Sequence, residues 1–89
     1  MPDWFLYIIR CGDSSLYTGI TTDVQRRLAE HRGKGGKGAR YLRGRGPLIV
    51  VYKRKAGTRS GALKMEYKVK SMKKKEKEKL IITKNNLLF

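Results

Sequence analysis

Acidic residues are scarce. Seven Asp and Glu stand against 22 Lys and Arg, which gives a formal net charge of +15 across 89 residues. Two-metal catalytic centres need several converging carboxylates, so the shortage argues for one cation at most. Cysteine occurs once, at Cys11, so there is no intrachain disulfide and no cysteine-based metal site. A reducing cytoplasm suits such a chain, and Cys11 itself reads as a small buried apolar residue. No apolar run approaches the roughly 18–20 residues that span a bilayer. The opening MPDWFLYIIR has no basic segment ahead of its apolar run and no small-residue cleavage site, so no signal peptide is read there. Length is limiting too: a chain this short buries only about 60–65% of its unfolded surface. That leaves one domain, residues 1–89, with a small core and no large cavity. An active site here is expected to be a shallow groove, suited to a polymer rather than to a small metabolite or small-molecule cofactor.

What is abundant is positive charge. It costs folding energy through self-repulsion and attracts polyanions, so nucleic acid is the expected partner. An anionic membrane is not, because no long amphipathic helix with bulky apolar anchors is present.

The apolar pattern orders the chain. Residues 4–11 (WFLYIIRC) are apolar on both alternating sets, which predicts a central strand covered on both faces. Turn formers follow at Gly12, Asp13, Ser14 and Ser15, and residues 16–20 (LYTGI) make a second strand in an antiparallel hairpin. Thr22 is placed to cap a helix over 23–32 in a box with Gln25, ending at Gly33. Residues 33–46 read as a flexible basic loop with a short helical turn within 39–45. Its GKGGKG is not a phosphate-binding P-loop, since no Ser or Thr follows either lysine. Residues 47–52 (PLIVVY) give a third strand. Thr58 caps a helix over 59–72 whose inward stripe is Ala62, Met65, Glu66, Val69 and Met72, and a charged helix follows over 73–81. The tail, 82–89, has no assignment. The expected fold is α/β (α+β), a small three-stranded antiparallel sheet flanked by helices in the order β-β-α-(α)-β-α-α, with its core at about 4–80.

Polar residues intrude on the inward faces. The first helix should turn positions 24, 27, 28 and 31 to the sheet, and these hold Val24, Arg27, Leu28 and His31. Burying a charge unpaired is expensive, so Arg27 and His31 are expected to meet each other, another polar group or a ligand. Tyr7 and Tyr17 share one sheet face if the hairpin loop has an odd length, as a three-residue loop at 12–14 does. Gly19, on that same face, leaves room beside them. Glu66 intrudes from the later helix.

This set suits phosphodiester hydrolysis. Arg27 offers a fixed fork of donors to developing charge. Glu66 can hold a single Mg²⁺ or Mn²⁺, since hard cations take oxygen ligands and keep waters. A tyrosine can orient the attacking water, or deprotonate it if nearby cations lower the phenol from its usual value near 10. His31 can relay that proton or bond a phosphate. Lys34, Lys37, Arg40, Arg43 and Arg45 are candidate phosphate contacts, and Tyr41 either stacks on a base or packs inward. The plainer alternatives are an ion pair of Arg27 with Glu66 or Glu30, and a structural His31.

The residues resemble the GIY-YIG nuclease superfamily, in particular its small stand-alone bacterial members, related to the N-terminal nuclease domain of the excision-repair incision enzyme. The first signature strand reads Leu6-Tyr7-Ile8 and the second Tyr17-Thr18-Gly19. Arg27 precedes His31 by one helical turn, Met65-Glu66-Tyr67 carries the later glutamate, and GKGARYL resembles the Gly-Ala-basic-Tyr segment. The match covers about residues 4–80. Leu6 stands at the first signature glycine and Thr18 at the signature isoleucine. The late Asn or Gln of many members is not carried over to Asn85 or Asn86. The resemblance implies a sheet flanked by helices, with Tyr7, Tyr17, Arg27 and Glu66 lining a metal-dependent endonuclease site acting on DNA, and repair among the settings it suggests. The alternatives are a non-catalytic basic module that binds DNA or RNA, and an interaction protein docking through its NNLLF tail.

Overall fold

The computed structural model describes residues 2–33 and 40–83. Strands β1 (Trp4–Arg10) and β2 (Leu16–Thr21) lead into helix α1 (Val24–Arg32) and a 3-10 turn (Arg40–Leu42). Strand β3 (Ile49–Gly57) then precedes helices α2 (Arg59–Lys70) and α3 (Lys74–Thr83). The sheet is antiparallel with order β2-β1-β3, so the apolar strand is central, as its composition requires. Successive side chains of a strand point to opposite faces, and β1 therefore builds two cores. Tyr7 and Ile9, with Cys11, pack against Val24, Leu28, Leu42 and Leu48 on the α1 side. Leu6 and Ile8 pack with Tyr52 against Val69, Leu80 and Ile81 of α2 and α3.

The hairpin closes as parity demands. The Cys11 N–H donates to the Ser15 carbonyl and the Ser14 N–H to the Cys11 carbonyl, both at 2.9 Å, leaving a three-residue loop with Ser14 at φ 70°. The resulting register sets Ile9 opposite Tyr17 and Tyr7 opposite Gly19, which puts both tyrosines on one face.

Several boundaries differ from the sequence expectation. The α1 cap is Asp23, not Thr22: the Asp23 carboxylate accepts the Arg26 N–H at 3.0 Å, and the Thr22 hydroxyl accepts from the Arg26 guanidinium at 3.4 Å. Strand β3 starts later and runs through Gly57. Its basic half pairs with β1 (Phe5 with Lys55, Tyr7 with Lys53), which an apolar pattern ending at Tyr52 does not reveal. Helix α2 ends at Lys70, before Met72. Helix α3 continues to Thr83, tied to the sheet by a two-pronged Arg10–Glu78 ion pair at 2.5 and 2.7 Å. Within the expected 33–46 loop, Leu42 is buried and Arg45 pairs with Asp13. Residues 34–39 and the tail from 84 lie outside the described residues.

Two core hydroxyls, those of Thr18 and Tyr52, are poorly satisfied among the described residues. The Thr18 hydroxyl is buried with no hydrogen-bond partner among the described residues, and it sits opposite Ile8 on the α2–α3 side. Thr18→Val keeps the shape and β-branching and removes that cost. Stability is expected to rise by about 1 kcal/mol, or about 4–8 °C in Tm, read by thermal circular dichroism. An unchanged or lower Tm contradicts the assignment.

Candidate active site

Tyr7 is the centre of the site. Its hydroxyl oxygen lies 2.9 Å from His31 Nε2 in a buried hydrogen bond, and the Arg27 guanidinium donates to the same phenol oxygen. Tyr7 is 2% exposed, and its ring fills the space that Gly19 leaves. A Cβ built on Gly19 would lie 2.5 Å from the Tyr7 hydroxyl oxygen. Gly19→Ala therefore has to displace a buried, hydrogen-bonded ring, and overpacking of this kind costs about 1–3 kcal/mol. Its expected signature is a lowered Tm; a wild-type Tm would show that Tyr7 gives way freely.

Around this pair the rings close up. Tyr17 lies 6.4 Å from Tyr7 and 5.5 Å from His31, centroid to centroid. Tyr41 stacks on Tyr17 at 5.9 Å, and the Arg45 guanidinium sits 4.3 Å from the Tyr41 centroid. Arg45 is itself held by Asp13. Tyr41 thus supports Tyr17 while remaining 45% exposed, and Arg45 is held within the chain. Arg27 is half-buried and also pairs with Glu30 at 3.1 Å, so the ion pair considered from sequence is present alongside the contact to Tyr7.

Electrostatics define what each group can do. Burial, with the neighbouring Tyr17 and Glu66, pushes the Tyr7 phenol up to about 12 against the pull of Arg27. This shift runs opposite to the lowering by cations that a phenolate base needs. Burial and the Arg27 charge hold His31 below its usual value, only partly opposed by Glu30. His31 is therefore a neutral imidazole at pH 7. Burial works against the Arg27 charge, but its hydrogen bonds to Glu30 and Tyr7 leave the guanidinium above its ordinary range.

Glu66 reaches the site from α2, close enough to Tyr7 to raise its pKa. Its side chain is 20% exposed and pairs with Lys70 at 3.4 Å. Among the described residues no group of three or more His, Cys, Asp or Glu is placed to hold a metal ion. A lone, water-accessible carboxylate does fit a hard cation that keeps most of its waters; it does not fit a two-metal centre.

Beside His31 a cleft of about 540 Å³ opens among Arg32, Leu42, Arg43 and Leu48. Arg43 is exposed on its rim, whereas Arg32 donates to the Leu48 carbonyl at 2.5 Å. Arg40 opens the 3-10 turn, and Lys34 and Lys37 lie outside the described residues. Tyr67, not among the residues expected to form the site, is an exposed aromatic on the flank of α2. The available signal was Leu63 and Tyr67 four residues apart, off the inward stripe.

A three-layer α+β domain with two phenols, a guanidinium and an imidazole gathered on one sheet face defines a compact catalytic-domain class. The GIY-YIG catalytic domain family model matches residues 3–81, and the chain belongs to that family. It is 56% identical over 81 residues to a UPF0213 protein of Cronobacter sakazakii, covering 91% of this chain and 83% of that one. It is 55% identical over 85 residues to a UPF0213 protein of Yersinia pestis, covering 96% and 87%. The solution NMR structure of a UPF0213 protein from Bacillus halodurans is similar, with 41% identity, a TM-score of 0.60 and coverage of 96% and 88%. That of a protein from E. faecalis shows 38% identity, a TM-score of 0.65 and coverage of 93% and 86%. No helix among the described residues is long and apolar enough to cross a membrane.

Proposed function

We propose that this chain is an endonuclease that hydrolyses phosphodiester bonds in DNA with one divalent cation, Mg²⁺ or Mn²⁺. The observation that carries this reading is the Tyr7 hydroxyl held between the Arg27 guanidinium and His31 Nε2, with the Glu66 carboxylate within electrostatic reach. The excision-repair setting of the related nuclease domain makes DNA repair the cellular role proposed, and the lone reduced Cys11 fits a cytoplasmic one.

With Arg27 donating into the phenol oxygen, the Tyr7 O–H points at Nε2 and the histidine proton sits on Nδ1. A water oxygen bonds to phosphorus and the bond from phosphorus to the leaving oxygen breaks. The water's proton passes to the Tyr7 oxygen as Tyr7's own proton passes to His31 Nε2, and the leaving oxygen takes a proton from solvent. This relay never requires a free phenolate, so it is compatible with a phenol near 12. Tyr17, partly exposed beside both rings, orients the water. Arg27 donates to a nonbridging oxygen where charge develops. A divalent cation on Glu66 would supply charge neutralisation at the phosphoryl group and at the leaving oxygen.

Cleavage of duplex, flap and junction DNA with Mg²⁺ or Mn²⁺ tests this. Wild type is expected to cut, and Glu66→Gln to lose cleavage at unchanged Tm. Equal rates for the two reject the catalytic reading. The second reading, a binding module without turnover, is favoured by the ion pairs that Glu66 and Arg27 already make with Lys70 and Glu30. It leaves no cleavage to lose.

A further inference from the structure

Helix α2 carries a surface that the catalytic reading does not use. Tyr67 is 80% exposed and Leu63, one turn before it, 40%. With Arg59, Ser60 and Lys64 they line an open cleft of about 580 Å³. At 3.6 residues per turn, Leu63 and Lys70 are the helix-surface neighbours of Glu66, and Tyr67 is the next neighbour of Leu63. The platform therefore stands on the Glu66 flank of the helix. Arg59 closes its far end, its guanidinium 5.8 Å from the Trp4 ring centroid.

We propose that Tyr67 and Leu63 form a stacking platform for an unpaired base of a nucleic acid strand, with Lys64 and Arg59 on its phosphates. The proposal rests on Glu66 marking the scissile phosphate, since that is what aligns the strand with the platform. Charge complementarity chooses the occupant: the rim is cationic, and lysines are depleted from protein–protein interfaces. Size agrees, because one ring and one leucine suit a single base, whereas a specific protein interface buries about 1,200–2,000 Å². Stacking is sequence-tolerant, as every base has a π-face, so this surface selects unpaired or frayed strands rather than a sequence.

The test measures binding of a short thymidine oligonucleotide carrying one fluorescent adenine analogue, in chelator, so that no cleavage occurs. Wild type is expected to bind and to quench the analogue. Tyr67→Ala is expected to bind roughly tenfold more weakly with the quenching lost, and Tyr67→Phe to retain both. Lys64→Ala is expected to lower the slope of log affinity against log salt by about one. Wild-type binding by Tyr67→Ala, failure of Tyr67→Phe, no binding by wild type, or a Tyr67→Ala change in oligomeric mass overturns the platform. A protein that binds and quenches yet never cuts DNA supports the platform and rejects the nuclease reading, so the two failures are distinguishable.

Discussion

Arg27→Ala is expected to slow phosphodiester cleavage by about 10²–10³-fold, the usual cost of losing one preorganised donor to developing charge. Arg27 can present a fork of donors to a phosphoryl oxygen pair, and it already holds the Tyr7 oxygen. Arg27→Lys keeps the charge but not the fork, so only partial recovery is expected. The fold is expected to survive. The Arg27–Glu30 pair is half-exposed, and such pairs contribute about 0–1 kcal/mol. Single-turnover rates alongside Tm separate the two effects. A large loss of Tm with the rate loss would make Arg27 a structural residue.

Tyr7→Phe is expected to lower the rate by at least about 10²-fold, the low end for a lost general acid–base group. The ring stays over Gly19, so packing is kept and only the hydroxyl goes. Losing the buried hydrogen bond to His31 Nε2 costs about 1–3 kcal/mol of stability. The pH profile discriminates further. The relay needs an open Nε2 on His31, so the wild-type rate falls as pH drops through the His31 pKa, which lies below the ordinary 6.5. Above that a plateau is expected. A phenolate mechanism would instead show the rate rising towards the usual tyrosine value near 10, and Tyr7 itself does not ionise until about 12.

Much of the site was legible in the sequence, because two periods determine it. Hairpin parity put Tyr7, Tyr17 and Gly19 on one face, and the 3.6-residue period put His31 beside Val24 and Leu28. What resisted reading depends on contacts distant in sequence. The basic half of β3 is a strand only because β1 pairs with it. Asp23 and Thr22 are equally able caps, and geometry alone selects Asp23. The stack of Tyr41 on Tyr17, with Arg45 anchored on Asp13 over the exposed Tyr41 ring, joins residues far apart in sequence. The direction of the Tyr7 shift is a property of burial, which outweighs the single nearby guanidinium. Leu63 and Tyr67 share a helix flank by their four-residue spacing, but that spacing alone does not show that both stay exposed.

The most direct measurement is a double-mutant cycle on single-turnover DNA cleavage with Arg27→Ala, Glu66→Gln and both together. Groups that act on one phosphate as a unit are grossly non-additive, so the double variant is expected to be about as slow as the slower single one. Multiplicative losses, or either single variant cutting at the wild-type rate, would contradict a shared site.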